Sequence, residues 1–424
     1  FKLNNLALVH NQIAHHQLLA LSVAMSILLT AVIKSAQFPF SSWLPRAMEG
    51  PTPSSAIFYG SLAVHIGAFL LQRTAGFWED MLFFKVQLIL VGLVSAALST
   101  FTARVQSSIK AQVAYSSIAQ IGIIFIELAL GWYDLALIHF VGNAFLRTYQ
   151  LLISPSIVTY KIREQFFNFE PNANGLTKKL PKKISYTLYM LSLQEWKLDD
   201  FLYKRLWLPV KNIGARLNFL NLSNILIFFV PLLVGAFCLL YFKADIPSEI
   251  AQYIPEIFAL IGLILVIKAF TERRSVRLSF ALVLLNHLWV AMAISFNDNV
   301  NWEHIIIYLS GVFLFGLLGF ATILWLKKLE RRVFLNQFYG HSYEHPRIAF
   351  FFLLCCLGMA GFPISPTFIG EDLIYSHIQS GQLFLAVFVS LSFIIDGLAL
   401  IRIYARVFLG PHHKTYHESA YRSS

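Results

Sequence analysis

Residues 34–53 read KSAQFPFSSWLPRAMEGPTP. They follow the apolar run LLALSVAMSILLTAVI (18–33), and Lys34 is the first charge after it. Four prolines and a single acid, Glu49, fill the stretch. In a water-soluble chain this would be an ordinary surface loop. The surrounding composition argues otherwise: 57% of the 424 residues are hydrophobic, 13% are charged, and mean hydropathy is +0.64. Soluble domains carry about 25% charged residues, so the composition points to a bilayer. A spanning helix needs about 20 mostly apolar residues. Eleven such runs occur, near 18–36, 54–72, 83–101, 112–131, 135–157, 223–242, 253–270, 277–296, 304–326, 348–369 and 383–409. Backbone groups in lipid must pair within their own segment. The expected fold is therefore all-α: a polytopic membrane protein of about 11 transmembrane helices, with discontinuous helices where prolines interrupt the runs.

The net charge of +11 could suggest nucleic acid, but its distribution points to topology instead. If the helices alternate sides, one face collects Arg46, Arg104, Lys110, the 158–222 segment, Arg273, Arg274, Arg277, Lys327, Lys328, Arg331 and Arg332, and then the tail with Lys414 and Arg422. The opposite loops hold Glu79, Asp80, Asp245, Glu249, Asp298 and Glu303. This is the positive-inside bias, and it predicts basic loops facing the cytoplasm. Nucleic acid is not an expected partner; the lipid bilayer is. Cys238, Cys355 and Cys356 sit in apolar runs without metal-ligand spacing, so neither a metal nor a disulfide is expected in this chain. The first 17 residues lack the pattern of a secretory signal, and the start at Phe1 leads us to expect further residues upstream.

Four regions follow from polarity. Residues 1–157 form a first transmembrane block. Residues 158–222 form a basic segment with eleven Lys/Arg against five Asp/Glu, and its 185–220 part has the mixed periodicity of an interfacial amphipathic helix. That segment is either a loop lying on the membrane or a docking platform for a partner. Residues 223–410 form a second block with a break near 361–372, and 411–424 a polar tail. A weak internal echo links SSIKAQVAYSSIAQIGIIF (107–125) to RRSVRLSFALVLLNHLWVA (273–291), and 135–152 to 303–320.

Ionisable groups inside membrane helices are costly and are functional-site hypotheses by default. Lys34, His65, Glu127, His139, Arg147, Lys268, His287, Glu371, Asp372, Asp396 and Arg402 qualify. His139 and Arg147 lie eight apart, on roughly one helix face. Each has a plainer reading as well. Lys268 would snorkel to the interface, His287 would be a hydrogen-bonded packing residue, and Asp396 with Arg402 would form a structural ion pair. Glu127 would lie near the outer boundary. A buried lysine exchanges its proton readily whereas arginine keeps it, which casts Lys34 as a relay and Arg147 as a fixed charge. In GFPISPTFIGED (361–372), Pro363 and Pro366 interrupt the helical ladder, and Gly361 and Gly370 are expected to loosen it.

The stretch KSAQFPFSSWLPRAMEGPTPSSA, continued by IKAQVAYSSIAQIG (109–122), resembles the antiporter-like proton-translocating subunits of respiratory complex I and the Mrp cation/proton antiporters. The resemblance implies a discontinuous helix bearing a protonatable lysine, with Lys34 as the central relay and Lys110 as a second family lysine. Departures matter too: NAFLR places Arg147 where those subunits carry lysine, and GED places Glu371 where they carry lysine. Tyr59 stands at an expected histidine, with His65 six residues on. LRTYQLLISPS (146–156) and GFPISPTFIGEDLIYSHI (361–378) resemble the DabB family, the membrane subunits of bacterial inorganic-carbon accumulation complexes. That resemblance implies a bacterial inner-membrane subunit whose partner is a DabA-type soluble zinc protein similar to β-carbonic anhydrase. Zinc is expected in the partner and no cofactor in this chain, which is not expected to be catalytic by itself.

The function implied is cation conduction, of protons before sodium, coupled to CO2/bicarbonate accumulation by the partner. The residues expected to carry it are Lys34, Glu49, His65, Lys110, Glu127, His139, Arg147, Glu371, Asp372 and Asp396, with Lys110, His139 and Arg147 forming the station after Lys34. The alternative is a proton- or sodium-translocating subunit of complex I or an Mrp-type antiporter. A non-transporting anchor is a third reading, disfavoured by the number of intramembrane charges.

Overall fold

The computed structural model describes residues 17–167, 181–217, 219–243, 246–297, 300–330, 333–379 and 381–411. Among these every regular element is helical. The chain divides after Lys204 into two compact units, each with its own buried apolar core. The division falls inside the basic 158–222 segment, part of which lies outside the described residues, as does the tail from His412 onward.

The first unit begins with α1 (Gln17–Lys34), a short α2 (Trp43–Ala47) and α3 (Thr52–Arg73). It continues with α4 (Leu82–Val105), α5 (Ile109–Ala129) and α6 (Tyr133–Phe167), then α7 (Lys182–Leu193) and α8 (Leu198–Leu202). The opening stretch is indeed a helix break, and its chemistry is explicit. Past α1, the N–H of Gln37 donates to Val32 O (2.8 Å) and that of Ala36 to Ile33 O (3.2 Å), with Ala36 at φ 53°. This is the Schellman ending of a helix, which usually takes glycine at the left-handed position; alanine there costs about 1 kcal/mol. Ile33 O also accepts from Trp43 Nε1 (3.0 Å), the N–H of Phe38 donates to Ser95 Oγ (2.8 Å), and the Gln37 amide donates to Ile118 O (3.3 Å). Backbone groups freed by the break are thus paired, as burial requires. Pro51 precedes α3, whose Ser55–Ala63 portion is wound as a π-helix.

Helices α4 and α5 approach at their glycines. A Cβ on Gly92 would lie 2.4 Å from Gly122 O, and one on Gly122 would lie 2.6 Å from Gly92 O. Small residues at such crossings let backbones touch, the packing mode that replaces the hydrophobic effect in lipid. In the basic segment, α8 is tied to α2 by the Arg46–Asp199 ion pair, and Trp196 Nε1 donates to Thr102 Oγ1 (3.1 Å).

The second unit holds α9 (Leu208–Arg216), α10 (Val230–Tyr241), α11 (Ile254–Thr271), α12 (Val276–Ser295) and α13 (Trp302–Leu329). A break divides α14 (Pro346–Met359) from α15 (Pro366–Ser376), and α16 (Leu383–Phe408) closes the unit. This break repeats the first: Gly361 stands at φ +67°, the N–H of Phe362 donates to Leu357 O (3.0 Å), and Ser365 caps α15 by accepting from the N–H of Phe368 (3.2 Å). Gly361 therefore does more than loosen the helix: it sits at the left-handed position just past its end. Gly370 does not loosen one; it stays inside α15, where a Cβ would lie 2.4 Å from Tyr308 Cα.

Seven helices among the described residues are long and apolar enough to cross a membrane: Thr52–Arg73, Leu82–Val105, Ile109–Ala129, Glu249–Thr271, Val276–Ser295, Trp302–Leu329 and Leu383–Phe408. Three further apolar runs form the shorter helices Leu18–Lys34, Pro231–Tyr241 and Pro346–Met359. The remaining one lies within the 35 residues of α6. Large apolar side chains such as Phe145 (76% exposed) and Leu317 (67%) stud the outer faces, the surface lipid would cover.

Candidate functional site

In the first unit α3, α5 and α6 bring polar groups into two hydrogen-bonded sets that lie one turn apart along α6. His139 Nδ1 lies 2.9 Å from Glu127 Oε1, and its Nε2 lies 2.9 Å from Gln120 Oε1. One turn along α6, Asn143 donates from Nδ2 to His65 Nε2 (3.0 Å) and accepts from Arg147 Nε (3.1 Å). Arg147 further donates to Gln150 Oε1 (2.7 Å) and Ser116 O (3.3 Å). His65, Asn143, Arg147 and Glu127 are all buried. The spacing on α6 explains the alignment: His139, Asn143 and Arg147 recur every fourth residue and share one face. A glutamine amide presents either its oxygen or its NH2, so Gln120 can serve the His139 ring in either proton state.

Sequence-predicted residues divide accordingly. His65, Glu127, His139 and Arg147 come together. Glu127, 9% exposed, pairs with His139 from the last turn of α5, two residues before that helix ends at Ala129. Lys110 does not join His139 and Arg147; its Nζ donates to Gly50 O (2.8 Å), fastening the start of α5 to the loop before α3. Lys34 ends α1 with its side chain exposed, and Glu49 is exposed in the break.

The second unit holds a separate cluster. His287 on α12 lies with Nδ1 2.7 Å from the Tyr308 hydroxyl of α13 and Nε2 2.9 Å from Asp396 Oδ2 of α16. All three are buried. A neutral ring fits: Nε2–H donates to Asp396 and the Tyr308 O–H donates to Nδ1. Glu371, half-buried on α15, lays its carboxylate over Gly361, where an added Cβ would meet Oε2 at 2.4 Å. Asp372 faces outward.

Two pairing expectations are corrected. Asp396 pairs with His287 and not with Arg402, which instead donates to Glu272 O (2.5 Å) and Ala269 O (3.4 Å) and lies 5.4 Å from the Phe270 ring centroid. Six residues along a helix is a 600° turn, which leaves the two side chains about 120° apart and off a common face. Lys268 does not snorkel. It is 2% exposed and paired with Glu272 one turn on, at 2.7 Å.

Neutral members of both clusters escaped the sequence reading. Asn143, Gln120, Gln150 and Tyr308 carry no charge, so a search for ionisable groups in apolar helices passes over them. An Asn or Gln among aliphatic residues is the signal that could have found the first three, since buried amides demand partners.

Residues 1–194 match the family described as NADH:quinone oxidoreductase/Mrp antiporter, transmembrane. The chain is 34% identical over 194 residues to chloroplastic NAD(P)H-quinone oxidoreductase subunit 5 of Piper cenocladum, covering 44% of this chain and 26% of the relative. It is 33% identical over 201 residues to the Manihot esculenta counterpart, with 46% and 26% covered. It is 39% identical over 155 residues to "Probable inorganic carbon transporter subunit DabB2" of Halothiobacillus neapolitanus, with 36% and 28% covered. The matched stretches thus span about a quarter of each relative's length. Over residues 1–194, just under half of its length, the chain resembles the membrane domain of the complex I/Mrp antiporter-like superfamily.

Proposed function

We propose that this chain is the cation-conducting subunit of a bacterial inner-membrane complex that accumulates inorganic carbon. Protons are the favoured ion and a DabA-type soluble zinc protein the partner. The two sets Glu127–His139–Gln120 and His65–Asn143–Arg147 carry the reading, because groups that cost so much to bury in lipid are retained for conduction. Likeness to the inorganic-carbon relative supports the particular branch, as do Arg147 and Glu371 at positions where complex I subunits carry lysine. Lys34, at the lip of the first break, would pass protons between the aqueous side and these sets. Glu371 beside the second break would exchange them in the other unit. The basic loops would face the cytoplasm, where the partner would dock.

A second reading has its own support: the quinone oxidoreductase relatives align over more of this chain than DabB2 does, 44–46% against 36%. Affinity purification from the native membrane, with metal analysis, separates the two. One large zinc-bearing soluble partner supports carbon uptake. Several membrane subunits with iron–sulfur proteins and no zinc partner would replace it with a complex I assembly. Within the first reading, Lys34→Ala should abolish inorganic-carbon uptake, and full uptake by that variant would remove Lys34 from the path.

A further inference from the structure

We propose that the loop between α13 and α14 is a binding site for a divalent transition metal, with Glu330, His341 and Glu344 as ligands. One ligand atom from each of the three lies within 4.8 Å of the others. His341 is 5% exposed, and both carboxylates are half-buried. Bound at about 2.0–2.2 Å from a central ion, such atoms need only small side-chain adjustments to close a coordination shell.

Three features of the chain favour a metal here over a plain polar cluster. First, the donors are an imidazole and two carboxylates, a set that suits zinc, manganese or iron(II) and neutralises a dication. Second, His345 Nε2 lies 3.0 Å from Glu330 Oε1. It would act as the outer partner that orients a metal-bound carboxylate. Third, the loop is held before any ion arrives. The N–H groups of Tyr339, Gly340, His341 and Ser342 donate to Arg406 O (3.0 Å), Leu409 O (3.2 Å), Val407 O (3.3 Å) and Phe408 O (3.1 Å). The carbonyls that end α16 are thereby paired, and His341 is fixed on a rigid turn. The N–H of His345 donates to His341 O (2.9 Å), so residues 341–345 form one helical turn with His341, Glu344 and His345 on the same side. Glu330 arrives from the end of α13. A bound ion would clip that helix to the loop, and three protein ligands leave further positions for water.

The linear sequence hid this site because Glu330 stands 11 and 14 residues before His341 and Glu344, and the set includes no cysteine. The competing account is an ordinary network in which the carboxylates serve nearby basic residues, such as Lys327 and Lys328 in the last turn of α13.

The test is zinc titration of the full chain in detergent after chelator treatment, read by metal content and thermal midpoint. We expect one zinc bound per chain at this loop, with a rise in the midpoint. His341→Gln and Glu344→Gln should each weaken binding by at least about tenfold and remove the rise. Because His412, His413 and His417 follow closely in the tail, their triple alanine variant is the control and should keep both. Cobalt(II) substitution gives a readout independent of stability, a visible absorption band that Glu344→Gln should change. Zinc binding that survives both loop variants, or that vanishes only with the tail histidines, overturns the site. So does the absence of bound zinc in the intact chain.

Discussion

Asn143→Ala is the sharpest perturbation of the first unit, because this one neutral side chain joins His65 to Arg147. The substitution deletes the 3.0 Å bond to His65 and the 3.1 Å bond from Arg147 Nε. The 3.5 Å approach to Ser117 Oγ is too long to count. A hydrogen bond to a charged group contributes about 1.5–3 kcal/mol, and a neutral one between membrane helices about 0.6 kcal/mol. The sum is about 2–4 kcal/mol. For a unit of this size that lowers the thermal midpoint by about 5–15 °C, measurable on the detergent-solubilised chain. Asn143→Asp keeps an oxygen for Arg147 and should recover most of the loss. In liposomes with a pH-sensitive dye, Asn143→Ala should also slow proton entry more than Asn143→Asp does. A midpoint unchanged within about 2 °C would mean that water or Gln150 takes over the guanidinium, and the bridging role of Asn143 between His65 and Arg147 would fail.

Three further outcomes follow from the packing and pairing. Gly122→Ala places a methyl 2.6 Å from Gly92 O and should destabilise by about 1–3 kcal/mol through overpacking. Gly142→Ala, with nothing within 4 Å, should instead stabilise by up to about 1 kcal/mol through helix propensity; equal shifts in a thermal melt would refute the close crossing. Asp396→Ala leaves the His287 Nε2–H without an acceptor and should cost about 1–3 kcal/mol, whereas Asp396→Asn retains an oxygen for Nε2–H and should cost less. At Glu272, burial pushes the carboxyl up, but Lys268 and the N–H groups of Arg274 and Ser275 outweigh it and hold it below its usual 4.5. A depressed folded value means this stabilisation is whole above the unfolded value and fades as pH falls through the lower folded one. Melts of the native chain should therefore be flat between about pH 7 and 5 as far as Glu272 is concerned, then fall with acid. Glu272→Gln should be less stable at neutral pH and lose less on acidification, and parallel curves for the two proteins would reject the pairing.

Much of the fold could be read from the sequence, for physical reasons that also explain the misses. Apolar runs near spanning length became helices because lipid leaves the backbone no other partner. The prolines at 39, 45, 51, 363 and 366 marked both breaks. What the runs could not give was where helices stop: α1 ends by a Schellman turn on Ala36, a residue with no turn preference to announce it. Side-chain pairing was least legible. Glu127 and His139 lie on separate helices, and His287 meets Asp396 across more than a hundred residues. Only the packing of α5 on α6 and of α12 near α16 decides those pairs. Along one helix, i to i+8 spacing placed His139 and Arg147 on one face, while i to i+6 misled for Asp396 and Arg402.

Proton chemistry puts a constraint on any route through the first unit. A guanidinium stays protonated, so Arg147 can orient Asn143 and hold a positive potential but cannot pass a proton on. Asn143 has no proton to exchange either. The exchangeable groups in the two sets are His65, Glu127 and His139, and the two imidazoles stand on opposite ends of the Asn143 turn. Transfer between them must therefore use water or a rotation of the His139 ring away from Glu127. Gln120 favours the rotation, because its amide can accept from the ring or donate to it without moving the helix. Replacing Gln120 by glutamate would keep only an acceptor and pin the ring between two carboxylates. Conduction should fall in Gln120→Glu while the fold survives, and a variant conducting at the native rate would place the moving proton elsewhere.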